Sequence, residues 1–549
     1  MTGITFLISL LMGFSTADHA HVNVATPYYF DSTKGDDTYD GKSADQAWKS
    51  LAKLRQIELK PGDSVLLSAT SVFTDPLLLS GVAGTTEAPI VISSYGSGRA
   101  RIAVEGHLNG VLIQNSRFVE ILGLDITAAP AQDESPTNAS AMRCGVLITA
   151  DIPGTFEHIY LTDLYVHDVF YHQPGFTRPS GEIKTANGTQ SYGWGIRVLG
   201  IKDIQAYFKD VRIESTTVEN VSHTGLKLNG ANFEGGYGLQ ELVVSNCKVI
   251  RTGGPGIQIS GLQNGLITGN EVDQSGSTDD SRKWGRGSGL WTWGCDRVLI
   301  EKNRFTNANG PGDSAGAHID FNCNNVVLQY NFSANNAGGF CEILGNNYNC
   351  AYRYNISVND GFRIKGQNGA FQEGKIFWLS GYVGEKAERH GPYNSYFYNN
   401  TIFVNKDIET KVAIDPVANG VLIVNNIFHI EGDAKVVRGD QLRPETEGEW
   451  KNFEFIFKNN LFLHASSWPG DLTLQDSKPM FGDVSFANSA GIHPVDYRPK
   501  NGAMVRNNGI EIPSLPGDSV GLVYGLKVTH DILGNAIKGK PDLGAIELD

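Results

Sequence analysis

The chain has 549 residues, a formal charge of −14 and 64 glycines. The acidic balance excludes a polyanion binder that works through bulk positive charge, because nucleic-acid proteins present a basic face; an acidic sugar held by a few local cations stays open. The length fits several globular domains, yet a solenoid grows by adding coils, so one elongated domain accounts for it equally well.

Residues Ile4 to Phe14 form an apolar run followed by Ser15-Thr-Ala17, small residues of the kind found at a signal-peptide cleavage site, although no Lys or Arg precedes the run. Segment 1–17 is therefore expected to direct secretion or periplasmic export. The run is too short to cross a bilayer and no later segment suffices, so no membrane span is expected. Residues 18–85 read as an N-terminal cap with the first strands. Within them, Asp45-Gln-Ala-Trp-Lys-Ser-Leu-Ala-Lys-Leu places Trp48, Leu51 and Leu54 at helical spacing, the clearest such pattern in the chain. From 86 to 480, short Val, Ile, Leu and Phe runs between Gly- and Asn-bearing turns predict many brief strands and an all-β fold. Residues 481–549 are expected to add final coils and a cap.

An Asn recurs at the end of successive apolar runs: Asn246, Asn270, Asn303, Asn331 and Asn355, and again in the Asn pairs ending at Asn400, Asn426 and Asn460. Intervals of 24, 33, 28 and 24 residues between the first five fit one rung per repeat with loops of variable length, as in a parallel β-helix. Each Asn is expected to take a left-handed conformation and to bond the Asn of the next rung, a structural role.

A second repeat consists of tetrapeptides: Gly145-Val-Leu-Ile, Gly195-Ile-Arg-Val, Gly225-Leu-Lys-Leu, Gly256-Ile-Gln-Ile, Gly289-Leu-Trp-Thr, His318-Ile-Asp-Phe, Phe340-Cys-Glu-Ile and Gly361-Phe-Arg-Ile. In a strand the second and fourth side chains share one face and the third points away. Stacking them predicts an outward ladder of Leu147, Arg197, Lys227, Gln258, Trp291, Asp320, Glu342 and Arg363. Insertions are expected at 127–143, 170–194, 275–288, 366–395 and 431–453. They carry Tyr192, Trp194, Trp284, Trp378, Tyr382, His390 and Tyr393, aromatics that either stack on sugars or pack in loops. Aligning the Asn repeats puts Cys295 and Cys323 at equivalent places on successive coils, either as a disulfide or as two buried thiols.

The text Tyr28-Tyr-Phe-Asp-Ser, Gly35-Asp-Asp-Thr-Tyr-Asp-Gly-Lys-Ser, Ala47-Trp-Lys-Ser-Leu-Ala, Pro61-Gly-Asp-Ser-Val-Leu-Leu, Ala88-Pro-Ile-Val-Ile-Ser-Ser-Tyr-Gly and Pro541-Asp-Leu-Gly-Ala-Ile-Glu resembles secreted right-handed β-helix carbohydrate-active enzymes. The resemblance implies a right-handed parallel β-helix and a glycan substrate. Hydrolases, lyases and epimerases share these cues.

Asp320 and Glu342 lie 22 residues apart, about one coil, which predicts neighbouring strands ~4.8 Å apart. Carboxyls ~5 to 5.5 Å apart suit a retaining glycosidase. Locally, Ile319-Asp320 and Cys341-Glu342 are similar to β-helix glycoside hydrolases of the family that contains bacterial β-xylosidases; that resemblance makes Asp320 the nucleophile and Glu342 the acid/base. Trp291 is the expected sugar platform. Arg197, Lys227, Gln258, Arg363, Lys365 and His318 are expected to bind substrate, the cations holding a carboxylate or sulfate. In the competing lyase reading, Lys227 or Arg363 removes the C5 proton of a uronic acid; a noncatalytic glycan-binding solenoid is the third reading. Asp313 reads as a turn residue and His223 as a turn or packing histidine. No cofactor is expected, with Ca²⁺ as the ligand if the carboxylates are not catalytic. The expected partner is a polysaccharide or oligosaccharide, bound by a monomer.

Overall fold

The computed structural model describes residues 25–131, 142–176, 192–233, 236–277, 285–440 and 454–548. Among them, three long parallel sheets of 14, 12 and 14 strands run side by side, and in each the spatial order follows chain order. Between the ends, each coil thus contributes one strand to each sheet, the parallel β-helix that the repeats predict. The 12-stranded sheet includes Gly193–Leu199, Leu226–Asn229, Ile257–Ser260, Leu290–Trp293, Ala317–Ile319, Gly339–Ile343 and Lys375–Leu379.

Alternation fills the interior: Ile196, Leu228, Ile259, Leu290 and Ile319 are fully buried in one continuous core. A column of glycines lets the strands of this sheet start where the third sheet crowds them. A Cβ on Gly225 would clash with Val249 Cγ1 and stand 2.9 Å from the Gly256 carbonyl oxygen, and Gly195, Gly256 and Gly289 meet equivalent neighbours.

The Asn repeat forms an internal ladder. Asn270 Nδ2 donates to Asn303 Oδ1 at 2.8 Å, Asn303 to Asn331 and Asn331 to Asn355 at 3.0 Å each. The chain of amides continues through Asn400, Asn426 and Asn460, and Asn460 Nδ2 donates to Asp476 Oδ2 at 2.8 Å. Each Nδ2 also donates to a main-chain carbonyl, such as Ile300 from Asn331. The left-handed residue is the one before each ladder Asn, at Lys302, Tyr330, Tyr354, Asn399, Asn425 and Asn459. Asn246 belongs to that left-handed column, and Cys247 occupies its rung, its N–H donating to Asn270 Oδ1.

The helical spacing around Trp48 is realised as two 3₁₀ turns, Ala44–Gln46 and Leu51–Gln56. Trp48 between them bridges Phe30 of the first sheet, which interrupts any longer helix and buries Trp48, Leu51 and Leu54. Cys295 and Cys323 occupy equivalent places, since Asp296 pairs with Asn324, and both are buried free thiols. After the last strand, Met480–Phe481, the chain packs back on the outer faces: Leu515 and Leu522 against Val327, Tyr396 and Leu422, and Leu543 and Ile546 against Phe403 and Ile427. The 1–17 segment and Trp284 lie outside the described residues, among which no helix is long and apolar enough to cross a membrane.

Candidate active site

On the outward face of the 12-stranded sheet, Leu147 pairs with Arg197, Arg197 with Lys227, Lys227 with Gln258, and Gln258 with Trp291, in the predicted register. Beyond Trp291 the register departs from expectation. Trp291 pairs with His318, and Ile319 with Ile343, so Glu342 stands beside His318 and not beside Asp320. The true tetrapeptide is Gly316-Ala-His-Ile, which continues the glycine column. Glu342 then pairs with Trp378 of Lys375–Leu379, not with Arg363. That strand was hidden inside the expected 366–395 insertion because its residues are all buried and show no alternation.

Asp320 therefore sits two residues farther along its chain than the partner of Glu342. Such diagonal neighbours are roughly 7–8 Å apart, so the direct one-coil spacing expected for this pair is not present. Arg363 lies in the loop after the third-sheet strand Ile356–Val358. Its Nη1 donates to the Gly310 and Asp313 carbonyls at 3.0 and 2.9 Å, and its Nε to that of Gln372 at 2.7 Å. It thus anchors the Asp313 turn. Lys365 is exposed and pairs with Asp440 at 3.5 Å.

Asp313, expected to be only a turn residue, joins the carboxylates. It and Ser314 adopt left-handed backbone, with φ of 42° and 62°. The turn is over-determined: the Asp313 N–H donates to Gln372 Oε1 at 2.5 Å and Ser314 Oγ accepts from the Gly310 N–H at 2.7 Å. Arg286 Nη1 donates to Asp313 Oδ1 at 2.7 Å.

The electrostatics separate the carboxyls. Burial works to raise Asp313, but Arg286 first, then His318 and Arg363, hold it below its ordinary value. His318, whose Nδ1 lies 3.2 Å from Ser288 Oγ, is pushed down to about 4 by burial and is neutral at pH 7, so there the two arginines carry the effect. Asp320 is raised to about 7, chiefly by burial and further by the Asp313 charge, against the pull of the Phe321 N–H (2.8 Å) and Arg286. Glu342 is 5% exposed and is raised well above the usual carboxylate range by burial, then by Asp313 and Asp320, with Lys375 opposing. Among the described residues, no set of three or more His, Cys, Asp and Glu is arranged to hold a metal ion.

Aromatics border the acids. Trp291 lies parallel to His318 at 6.1 Å, Trp293 packs edge-on to Phe321 at 5.9 Å, and Phe321 edge-on to Tyr382 at 5.6 Å. All but His318 keep partial exposure. Tyr382 is raised by burial and then by the Asp320 charge, which places it beside that acid. Farther along the ladder, Arg197 is buried with its guanidinium 4.4 Å from the Trp194 ring centre, and Lys227 Nζ lies 5.3 Å from it. Arg286, Trp293 and Phe321 were not singled out by sequence, Asp313 was read only as a turn residue, and Tyr382 was named only among insertion aromatics that either stack on sugars or pack in loops. Only the glycine-rich text around Asp313 hinted at an unusual turn.

A family model described as right handed beta helix region matches residues 194–372. The chain is 26% identical, over 95% of its length, to a lacto-N-biosidase of Bifidobacterium longum subsp. longum, and spans 36% of that protein. Among solved structures it is similar to a GH136 lacto-N-biosidase from Eubacterium ramulus, with a TM-score of 0.55 and 21% identity, covering 75% of this chain and 67% of that one. A complex of XylC with xylose superposes with a TM-score of 0.50 at 10% identity, covering 95% and 98% of the two chains. These structural likenesses establish the fold that the three sheets display, a right-handed parallel β-helix.

Proposed function

We propose that this chain is a glycoside hydrolase that cleaves an oligosaccharide on the outward face of the 12-stranded sheet. The observation that carries the reading is the divergence of two carboxyls in one site, Asp320 raised to about 7 and Asp313 held low beside Arg286. Such a split assigns an acid and an anion. Asp320 donates its proton to the leaving oxygen while Asp313 meets the positive charge that develops at the anomeric carbon. Asp313 keeps 19% side-chain exposure and remains reachable.

A carboxylate held below its ordinary value is a poor base but stays ionised at neutral pH, so Asp313 suits attack on carbon better than activation of water. The retaining outcome is kept on this ground, not on the spacing of Asp320 and Glu342. Glu342, buried and with its carboxyl raised well above the usual range, stands on the adjoining rung beside His318. The similarity to lacto-N-biosidases supports this reaction class and points to oligosaccharides carrying lacto-N-biose units as the first substrates to try.

The test is incubation with such oligosaccharides, with reducing ends and enol-ether absorbance both followed. Reducing ends without new absorbance are expected, and Asp320→Asn is expected to lower kcat by about 10²- to 10⁴-fold, the usual contribution of a general acid. NMR of the first-formed product is expected to show the starting anomeric configuration; inversion would refute attack by Asp313. One observation favours a lyase: Lys227, lowered to about 7, has the basicity of a proton-abstracting lysine. An enol-ether product that disappears in Lys227→Met would establish that reading instead.

A further inference from the structure

Arg197 and Lys227 are direct cross-strand neighbours on the outward face. Like charges in that position repel, and Arg197 is already engaged, its Nη1 donating to Met142 Sδ at 2.9 Å. Among the described residues, no hydrogen bond and no carboxylate is found at Lys227 Nζ; its neighbours are the Arg197 guanidinium and the Trp194 ring. On the following rung stands uncharged Gln258, and His223 lies against the Trp194 indole with ring centres 4.1 Å apart. The indole offsets part of the charge but offers no acceptor to the three ammonium protons. The Lys227 residue as a whole is only partly buried.

Resting on the reading of this face as a glycan groove, we infer that Lys227 and Arg197 form a subsite for a sugar bearing an anionic substituent, a carboxylate or a sulfate ester. Three rungs separate Lys227 from the strand that leads into Asp320, or ~14 Å at ~4.8 Å per strand. The anionic unit therefore lies away from the bond to be cut and selects the substrate without entering the chemistry. Trp291 and Gln258 occupy the intervening rungs. Burial and the Arg197 charge push Lys227 down to about 7, and a bound anion stabilises its protonated form, so acidic sugars bind more weakly as pH rises past that value.

Calorimetric titration of the full chain with glucose, glucuronate and glucose 6-sulfate tests this without requiring turnover. At pH 6 at least one acidic sugar is expected to bind tenfold or more tighter than glucose; whichever does identifies carboxylate or sulfate as the natural group. That preference should fade by pH 8, vanish in Lys227→Met and persist at both pH values in Lys227→Arg, whose cation does not titrate. Melting curves of both variants are expected to match or exceed the wild type, since a repelling buried charge is removed or only exchanged. Equal affinity of the wild type for all three sugars overturns the inference, as does a preference that survives Lys227→Met. Cleavage of neutral oligosaccharides reports separately on the hydrolase reading, which stands or falls without this subsite.

Discussion

At the scale of single residues, the decisive contrast is between two aspartates seven positions apart, Asp313 and Asp320, on either side of a neutral histidine. The pH behaviour follows from their environments. Asp320 must be protonated to act, so kcat/KM should be high below about pH 7 and decline above it, and should remain level toward acid until Asp313 protonates. Stability has the same sign. Between the ordinary aspartate value of 3.8 and about 7, folded protein holds a proton on Asp320 that unfolded protein releases. The stabilisation is complete below that window and lost as pH rises through it. Asp320→Asn should therefore raise Tm more at pH 8 than at pH 4, while reducing turnover at both; an equal shift at the two pH values would count against a buried, raised carboxyl.

At the scale of strands, the coils were legible because three signals repeat independently: the buried alternation, the glycine column and the Asn ladder. The register of the ladder held from Leu147 to Trp291 and then slipped by two at His318-Ile-Asp-Phe. There, Ile319 and Phe321 satisfied the apolar pattern as well as Ala317 and Ile319 did. A two-residue slip leaves every side chain on its own face, so hydrophobicity cannot detect it; Gly316, aligned with Gly289, was the available corrective. The Lys375–Leu379 strand was illegible for a different reason: Trp378 faces outward yet packs with Leu344 and Ala413. Asp313 was missed because its role depends on contacts with Arg286, Arg363 and Gln372, remote in sequence and joined only by the coils. The Asn ladder offers a test at this scale. Asn331→Ala strips Asn303 and Asn355 of buried partners, at about 1–3 kcal/mol for each group left unsatisfied. A fall in Tm of several degrees is expected, and a shift below one degree would mean that the ladder contributes little.

At the scale of the whole molecule, the C-terminal chain covers sheet faces that the coils alone would leave wet. Leu515 and Leu522 lie on Tyr396, Leu422 and Val327, and Leu543 and Ile546 on Phe403 and Ile427. Truncation after Asn507 should expose this apolar area, lower Tm and increase binding of a hydrophobic dye, with aggregation the accompanying hazard; a truncated chain that melts like the full one would show the covering to be dispensable. The Asn ladder also has a polarity. Every amide from Asn270 to Asn460 donates toward the next rung, and the series finishes on the carboxylate of Asp476. Aligned amides add their dipoles as peptide units do in a helix, so the solenoid carries an internal electrostatic axis with its positive pole at the end where an anion stands. Cutting such a column in the middle leaves two short dipoles in place of one long one. A central Asn is therefore worth more than a terminal one with the same number of hydrogen bonds, and Asp476 acts as the counter-charge of the entire column.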